Sequence, residues 1–197
     1  MPNLSFQNTE IAFAHKSTKE LKQAKMLFKS FNYPWLIKYG DTLARLAITI
    51  GCKSVIKNTI FKQFCGGESI TECEQRIQSL AKSDIGTILD YSVEGEEEET
   101  VFIATCEEIK KTIDKAAGNP QIPFSVFKVT GIIAFEILEK ASNQICKQNH
   151  LPSSEIGKLL SPDDSKHWEL GVSRFFDIAN HAHSKQVRLF VDAEESW

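Results

Sequence analysis

The chain has 197 residues, of which 42% are hydrophobic and 25% are charged, and its formal net charge is -3. This composition is typical of a globular protein and excludes a wholly disordered chain. The mildly acidic balance and the scattered lysines predict no nucleic-acid partner. No apolar stretch reaches the roughly 20 residues needed to span a bilayer.

The N-terminus has no charged start followed by an apolar run, is not rich in arginine and contains an early acid, Glu10. These features predict neither a secretory signal nor a transit peptide, and so a cytoplasmic protein. The five cysteines are an odd number without a CxxC pair. We therefore expect reduced thiols rather than a zinc knuckle or a redox-active dithiol.

Residues 1–83 predict a helical region. The capping-box pattern at 17–20 starts one helix, and a second helix is expected over 36–50, ended by Gly51. A third is expected to end at the two glycines that follow Cys65. A second capping-box pattern at 69–72 then begins a helix with one apolar stripe.

Residues 84–197 change to alternating strands and helices. Apolar, β-prone runs predict β1 over 85–91, β2 over 124–130 and β3 over 187–192, with helices between them. This alternation predicts βαβ units and a parallel sheet with right-handed crossovers. Three strands leave two open edges, so self-association through those edges is expected.

Charged residues occur at the C-terminal ends of all three predicted strands. Asp90 ends the first, with Glu94 just beyond it, Lys128 interrupts the second, and Asp192 ends the third. The carboxyl ends of parallel strands meet at one edge of the sheet, where α/β enzymes build their sites. Lys128 must be paired or bind an anion, because an isolated charge in an apolar strand is costly to bury. A structural ion pair and a ligand site both remain open.

Other polar clusters are weaker candidates. The glutamates at 96–99 predict a solvated helix start, since acids favour the positive end of the helix dipole. His181 and His183 lie two residues apart and would face different directions on a helix, so no metal site is predicted. Cys65 is either a reactive thiol or part of a hinge. Glycine-rich phosphate motifs and a GxSxG element are absent from the sequence.

Three segments together resemble the proline dehydrogenase family. They are 64–70 (FCGGESI), 86–95 (GTILDYSVEG) and 187–195 (VRLFVDAEE), which occur in the family's order, and 127–130 (FKVT) matches more loosely. The resemblance covers roughly residues 43–197. It implies N-terminal helices followed by the first three βα units of an incomplete (β/α)8 barrel. It also implies an FAD-dependent oxidoreductase of proline catabolism.

The resemblance implies a reaction, an acceptor and a role for five residues. L-proline would be oxidised to Δ1-pyrroline-5-carboxylate by hydride transfer to flavin N5, with membrane quinone as the final acceptor and a peripheral position at the inner face of a membrane. Lys128 resembles the lysine that binds the proline carboxylate, and Asp192 resembles the catalytic aspartate beside the flavin. Ala193 would contact the cofactor through its backbone. Glu94 is similar to an acid that closes the site, and Asp90 would line the substrate pocket.

The family's later strands, which hold its substrate-binding arginines and most flavin contacts, have no counterpart in these 197 residues. The resemblance therefore predicts the N-terminal half of the enzyme, inactive alone and unable to retain FAD. Two alternatives stay open: another TIM-barrel enzyme, since architecture does not fix function, and a non-enzymatic module that binds through its helices.

Overall fold

The structure is a computed structural model that describes residues 7–91, 97–148 and 153–193, without the side chains of 146–148 and 153–154. It contains two compact units, Met1–Asp84 and Ile85–Trp197. The first is helical. The second holds a three-stranded parallel sheet with helices, so the chain is an α/β protein.

The first unit contains six helices among its described residues. These are α1 (Thr9–Ala12), α2 (Thr18–Ser30), α3 (Pro34–Thr49), α4 (Lys53–Ile56), α5 (Lys62–Phe64) and α6 (Ile70–Ala81). Of the side chains described in this unit, that of Ile77 is the only fully buried one.

The predicted capping box at the start of α2 is confirmed. The Ser17 hydroxyl accepts a hydrogen bond from the Glu20 amide, and the Ser17 amide donates to the Glu20 carboxylate. That backbone hydrogen bond favours the charged form and lowers the pKa of Glu20. Ser69 caps α6 through its hydroxyl, but the Glu72 carboxylate accepts from the Glu68 amide instead of the Ser69 amide.

The third predicted helix is not a single regular helix. Between α4 and α5 the chain forms a π-helical segment, Lys57–Phe61, before the run ends at the expected glycines. Apolar periodicity could not reveal this, because five residues are too few to distinguish the period of a π-helical turn from that of an α-helix.

The second unit contains three strands and four helices in its described part. The strands are β1 (Ile88–Asp90), β2 (Phe124–Lys128) and β3 (Arg188–Asp192). The helices are α7 (Glu99–Ala116), α8 (Phe135–Gln148), α9 (Ser153–Ile156) and α10 (Pro162–Ser184). The strands lie in the order β1-β2-β3, and both pairs are parallel, as predicted.

Each strand is shorter than the sequence predicts. Pro123 directly precedes β2 and has no N–H to donate, which limits how early the β1–β2 ladder can begin. At its other end β2 stops at Lys128, because Val129–Gly131 form a 3-10 turn. Lys128 is therefore the last residue of its strand rather than an interior one.

One face of the sheet is buried against helices. Phe127 of β2 and Leu189 of β3 pack with α7 and α10, where Ile109, Ile113 and Ile178 are fully buried. Strand residues alternate between faces, so this layer fixes which residues point the other way.

Candidate functional site

The opposite face of the sheet carries all three predicted strand-end charges. Parallel pairing places Asp90 opposite Val126, Val126 opposite Phe190, and Lys128 opposite Asp192. Residues opposite each other, and residues two apart on one strand, share a face. The register therefore puts Asp90, Lys128 and Asp192 on the face opposite the one that packs on α7 and α10; we call it the open face, because none of the described helices forms a buried core with it.

Lys128 and Asp192 form the centre of this site. Lys128 Nζ lies 3.6 Å from Asp192 Oδ2, and the two side chains are 12% and 49% exposed. Lys128 is thus largely removed from water, while the carboxylate of its partner remains accessible. A buried cation needs a negative partner, and an exposed carboxylate can be displaced by another anion at modest cost.

The remaining predicted site residues occupy different positions. Asp90 is exposed. Its register partner is Val126, which lies two residues before Lys128, so Asp90 is next to the Lys128–Asp192 pair on the same face and closer to the N-terminal end of β2. Ala193 directly follows β3 and is exposed. Glu94 lies outside the described residues, and its predicted closing role stays a prediction.

The same face is aromatic on the N-terminal side of the Lys128–Asp192 pair. Phe124 and Phe190 are stacked with ring centroids 4.5 Å apart and an interplanar angle of 13°. The Arg188 guanidinium carbon lies 4.7 Å from the centroid of the Phe124 ring. The contact between these residues could not be read from the sequence, because it depends on the β2–β3 register. The face therefore carries stacked aromatic rings beside Arg188, and the Lys128–Asp192 pair at the carboxyl ends of the strands.

The glutamate run is only partly a solvated helix start. Glu97 and Glu98 are exposed, as predicted, but Glu99 forms an ion pair with Arg174 of α10. Arg174, whose side chain is 11% exposed, was not predicted as a site residue. The only sequence signal is a cation close to the apolar stripe of a helix, which does not identify its partner.

The two histidines near the end of α10 have different environments. His181 Nε2 lies 3.0 Å from Asp114 Oδ1, whereas His183 is exposed. Hydrogen bonds, chiefly from Lys185 and also from His181, lower the pKa of Asp114. In the part of the chain that the structure describes, no group of three potential ligand side chains is arranged for a metal ion.

Of the cysteines, Cys65 is exposed and Cys106 is buried in the layer beneath the sheet. Burial raises the pKa of the Cys106 thiol to about 11, so it stays protonated at neutral pH. No helix within the described ranges is both long and apolar enough to cross a membrane.

Comparison with known proteins identifies what the chain is similar to. The family model described as "Proline dehydrogenase" matches residues 73–197. "Proline dehydrogenase 1, mitochondrial" of Dictyostelium discoideum is 32% identical, over 96% of this chain and 38% of that protein. "Hydroxyproline dehydrogenase" of Xenopus laevis is 24% identical, over 98% of this chain and 46% of that protein. The chain therefore spans less than half the length of these relatives.

Two further relatives extend the comparison. A protein of Caenorhabditis elegans, also called "Proline dehydrogenase 1, mitochondrial", is 30% identical over 65% of this chain and 22% of that protein. CarD of Pectobacterium carotovorum, described as a carbapenem antibiotics biosynthesis protein, is 28% identical over 68% of this chain and 32% of that protein. The predicted cytoplasmic location is wrong, since similar proteins from two organisms are described as mitochondrial.

Proposed function

The chain belongs to the proline dehydrogenase family, and from that premise we propose that it forms the N-terminal portion of an FAD-dependent enzyme that oxidises L-proline to Δ1-pyrroline-5-carboxylate. Family membership supports an oxidoreductase and argues against an unrelated TIM-barrel enzyme or a purely helical binding module. The three strands would be the first three of a (β/α)8 barrel, with residues 1–83 as a helical region before it. Electron transfer to a membrane quinone is part of the same proposal.

The Lys128–Asp192 pair is the observation that carries the proposal. Its largely buried cation sits at the carboxyl edge of parallel strands, beside an exposed carboxylate. A substrate carboxylate could replace Asp192 as the partner of Lys128 and leave Asp192 facing the bound ring. Asp90, on the same face one step lower, would line the pocket.

The described residues do not by themselves make an FAD site. They supply a sheet face with stacked aromatic rings, the Lys128–Asp192 pair and the backbone of Ala193, but no glycine-rich cradle for a pyrophosphate. When bound, the flavin would accept a hydride from the substrate. Most of its contacts would have to come from further strands. We therefore propose that the 197-residue chain alone does not retain FAD and is inactive.

The edge strands β1 and β3 are where those further strands would pair. An unpaired strand edge is a template for another strand, so the isolated chain is also expected to self-associate. Sedimentation velocity over a concentration range would measure this. A strictly monomeric chain at high concentration would contradict it.

A chimera tests the proposed function. The matched segment of the Dictyostelium discoideum relative is replaced by this chain, and L-proline-dependent dye reduction and flavin absorbance are measured. We expect an active flavoprotein. Lys128→Ala should raise KM for L-proline by about tenfold to a hundredfold, the loss expected for one charge-assisted hydrogen bond, without changing flavin content.

Lys111→Ala is the matched control, because Lys111 lies on α7 and pairs with Glu108, away from the sheet face. It should leave KM and flavin content unchanged. A chimera that folds and binds flavin but does not oxidise L-proline would contradict the proposal. Loss of flavin in Lys128→Ala, with KM unchanged, would show that Lys128 serves the cofactor instead.

A further inference from the structure

Arg174 joins three parts of the sheet unit. Its Nη1 donates a hydrogen bond of 2.8 Å to the carbonyl of Ile132, and its other terminal nitrogen forms the ion pair with Glu99 at the start of α7. The guanidinium carbon also lies 5.4 Å from the centroid of the Phe102 ring. The guanidinium of one α10 residue is thus bound to the segments that follow β1 and β2.

Ile132 lies at the end of the short turn that begins at Lys128. Lys128 is the residue that caps the 3-10 turn Val129–Gly131, and the Ile132 amide donates to the Val129 carbonyl at 3.1 Å. Only the three residues of the turn therefore separate the candidate substrate-binding lysine from the residue whose carbonyl Arg174 binds. Because the hydrogen bond from Ile132 to Val129 joins the two ends of the turn, a contact that fixes Ile132 also restricts the backbone position of Lys128.

Ile133, the residue after Ile132, also lies against α10. A Cβ added at Gly171, three residues before Arg174, would lie 2.5 Å from Ile133 Cδ1, so α10 approaches this segment closely. Residues three apart on a helix share a face. Gly171 and Arg174 therefore form one surface of α10 on which the segment after β2 rests.

The energetics favour a specific role for this arginine. The Arg174 side chain is only 11% exposed, and the burial of its charge lowers the pKa of Arg174. Such a charge is stable only with good partners. Packing alone would be served by an apolar side chain at this position, whereas the fork of a guanidinium can bind a carboxylate and a carbonyl at once.

We infer that Arg174 is a positioning residue for Lys128: by binding the Ile132 carbonyl and Glu99 together, it fixes the turn that sets the place of the lysine at the edge of the sheet. The importance of that placement for catalysis rests on the proposed function. The positioning itself does not.

The reactivity of Lys128 measures the positioning directly in the 197-residue chain. The native protein is treated with the N-hydroxysuccinimide ester of acetic acid, and acetylation of Lys128 is followed by peptide mass spectrometry relative to Lys111. Arg174→Met should release the turn and raise the relative rate at Lys128 by about tenfold. Amide hydrogen exchange at Ile132 should increase by a similar factor.

Lys110→Met is the matched control. Lys110 of α7 forms an ion pair with Asp177 of α10, so this change removes a charged contact between the same two helices but none to the turn. A general weakening of the contact between α7 and α10 would raise the acetylation of Lys128 in both variants alike. We expect Lys110→Met to leave the relative acetylation of Lys128 within about twofold of the unmodified chain.

The inference is overturned if the two variants give the same relative acetylation of Lys128. If Arg174→Met does not fold, Arg174→Lys is tested in its place. Lysine keeps the positive charge but cannot bind the Ile132 carbonyl and Glu99 at once. An intermediate rise in Lys128 acetylation would support the inference, and an unchanged rate would refute it.

The chimera separates this inference from the proposed function. There, Arg174→Met should raise KM for L-proline more than it lowers kcat, since Lys128 would be displaced while the flavin remains in place. An inactive parent chimera would defeat the proposed function alone. The acetylation of Lys128 in the 197-residue chain would still test Arg174.

Discussion

The two faces of the sheet differ in packing and in charge, although they are built from alternate residues of the same three strands. On the helix-covered face Phe127 is fully buried, whereas on the other face Phe190 is 47% exposed. The covered face also buries a polar contact of 3.0 Å between the hydroxyls of Thr112 and Ser125. The open face instead carries the Lys128–Asp192 pair and the Arg188–Phe124–Phe190 stack.

The core that stabilises the unit and the candidate site therefore lie on opposite faces of the same sheet. Apolar burial against α7 and α10 stabilises the unit, so the covered face tolerates little change in volume. The open face has no such constraint from the described residues. The same substitution should therefore change the free energy of unfolding much more on the covered face than on the open face.

The largest expected contrast is between two phenylalanines. Phe127→Ala should destabilise the sheet unit by about 3–5 kcal/mol, because it leaves a cavity beside Phe175 in the core. Phe190→Ala should cost about 1 kcal/mol, chiefly its stacking on Phe124. Urea denaturation followed by circular dichroism measures both. Equal losses would mean that the open face is covered in solution.

A smaller effect is expected where α10 approaches Ile133. The Cβ of Gly171→Ala would lie 2.8 Å from Ile133 Cβ, and the overpacking should cost about 1–3 kcal/mol, more than the roughly 1 kcal/mol that alanine gains in helix propensity. Gly40→Ala in α3 is the control. It meets nothing within 4 Å and should be neutral or stabilising. Thermal melts of both variants compare them, and stabilisation by Gly171→Ala would contradict the close approach.

The smallest effect is expected at the exposed rim of the helix layer. Asp114 lies 3.0 Å from Lys185 and from His181, and these contacts lower its pKa. Its stabilising effect should be present above the unfolded value, near 4, and be lost as the pH falls through the lower folded value. Because Asp114 is half exposed, Asp114→Asn should cost no more than about 0.5 kcal/mol at pH 6.

Urea midpoints at pH 6 and pH 3 test this sign. The difference between the parent chain and Asp114→Asn should shrink at pH 3, and 1 M salt should shrink it at pH 6. A difference that grows on acidification would mean that the hydrogen-bonded carboxylate does not stabilise the fold.

Much of the fold was predictable because periodicity reports which side chains are buried. The alternation of strands and helices after residue 84 predicted the parallel sheet, and the serine caps predicted the starts of α2 and α6. Strand lengths were overestimated. The 3-10 turn after Lys128 begins with two β-branched residues, Val129 and Thr130, which are common in strands, so the sequence did not show where β2 ends.

The candidate site was predictable in its residues but not in its contacts. The sequence placed Asp90, Lys128 and Asp192 at the carboxyl ends of neighbouring parallel strands, and Lys128 and Asp192 are register partners in the structure. Which residue of β3 lies opposite Lys128 depends on the register, which the packing of Phe127 and Leu189 against the helices sets. Arg174 escaped prediction because its partners, Glu99 and Ile132, are 75 and 42 residues away along the chain.

By itself the sequence determined the parallel α/β arrangement, the charges at the strand ends and membership of the proline dehydrogenase family, since each follows from local residue patterns. Only the tertiary structure decided that Lys128 pairs with Asp192 on the open face and that Arg174 binds the turn after Lys128. Both contacts join residues distant in the chain. Their geometry depends on how helices and strands pack, a three-dimensional property that no short stretch of sequence contains.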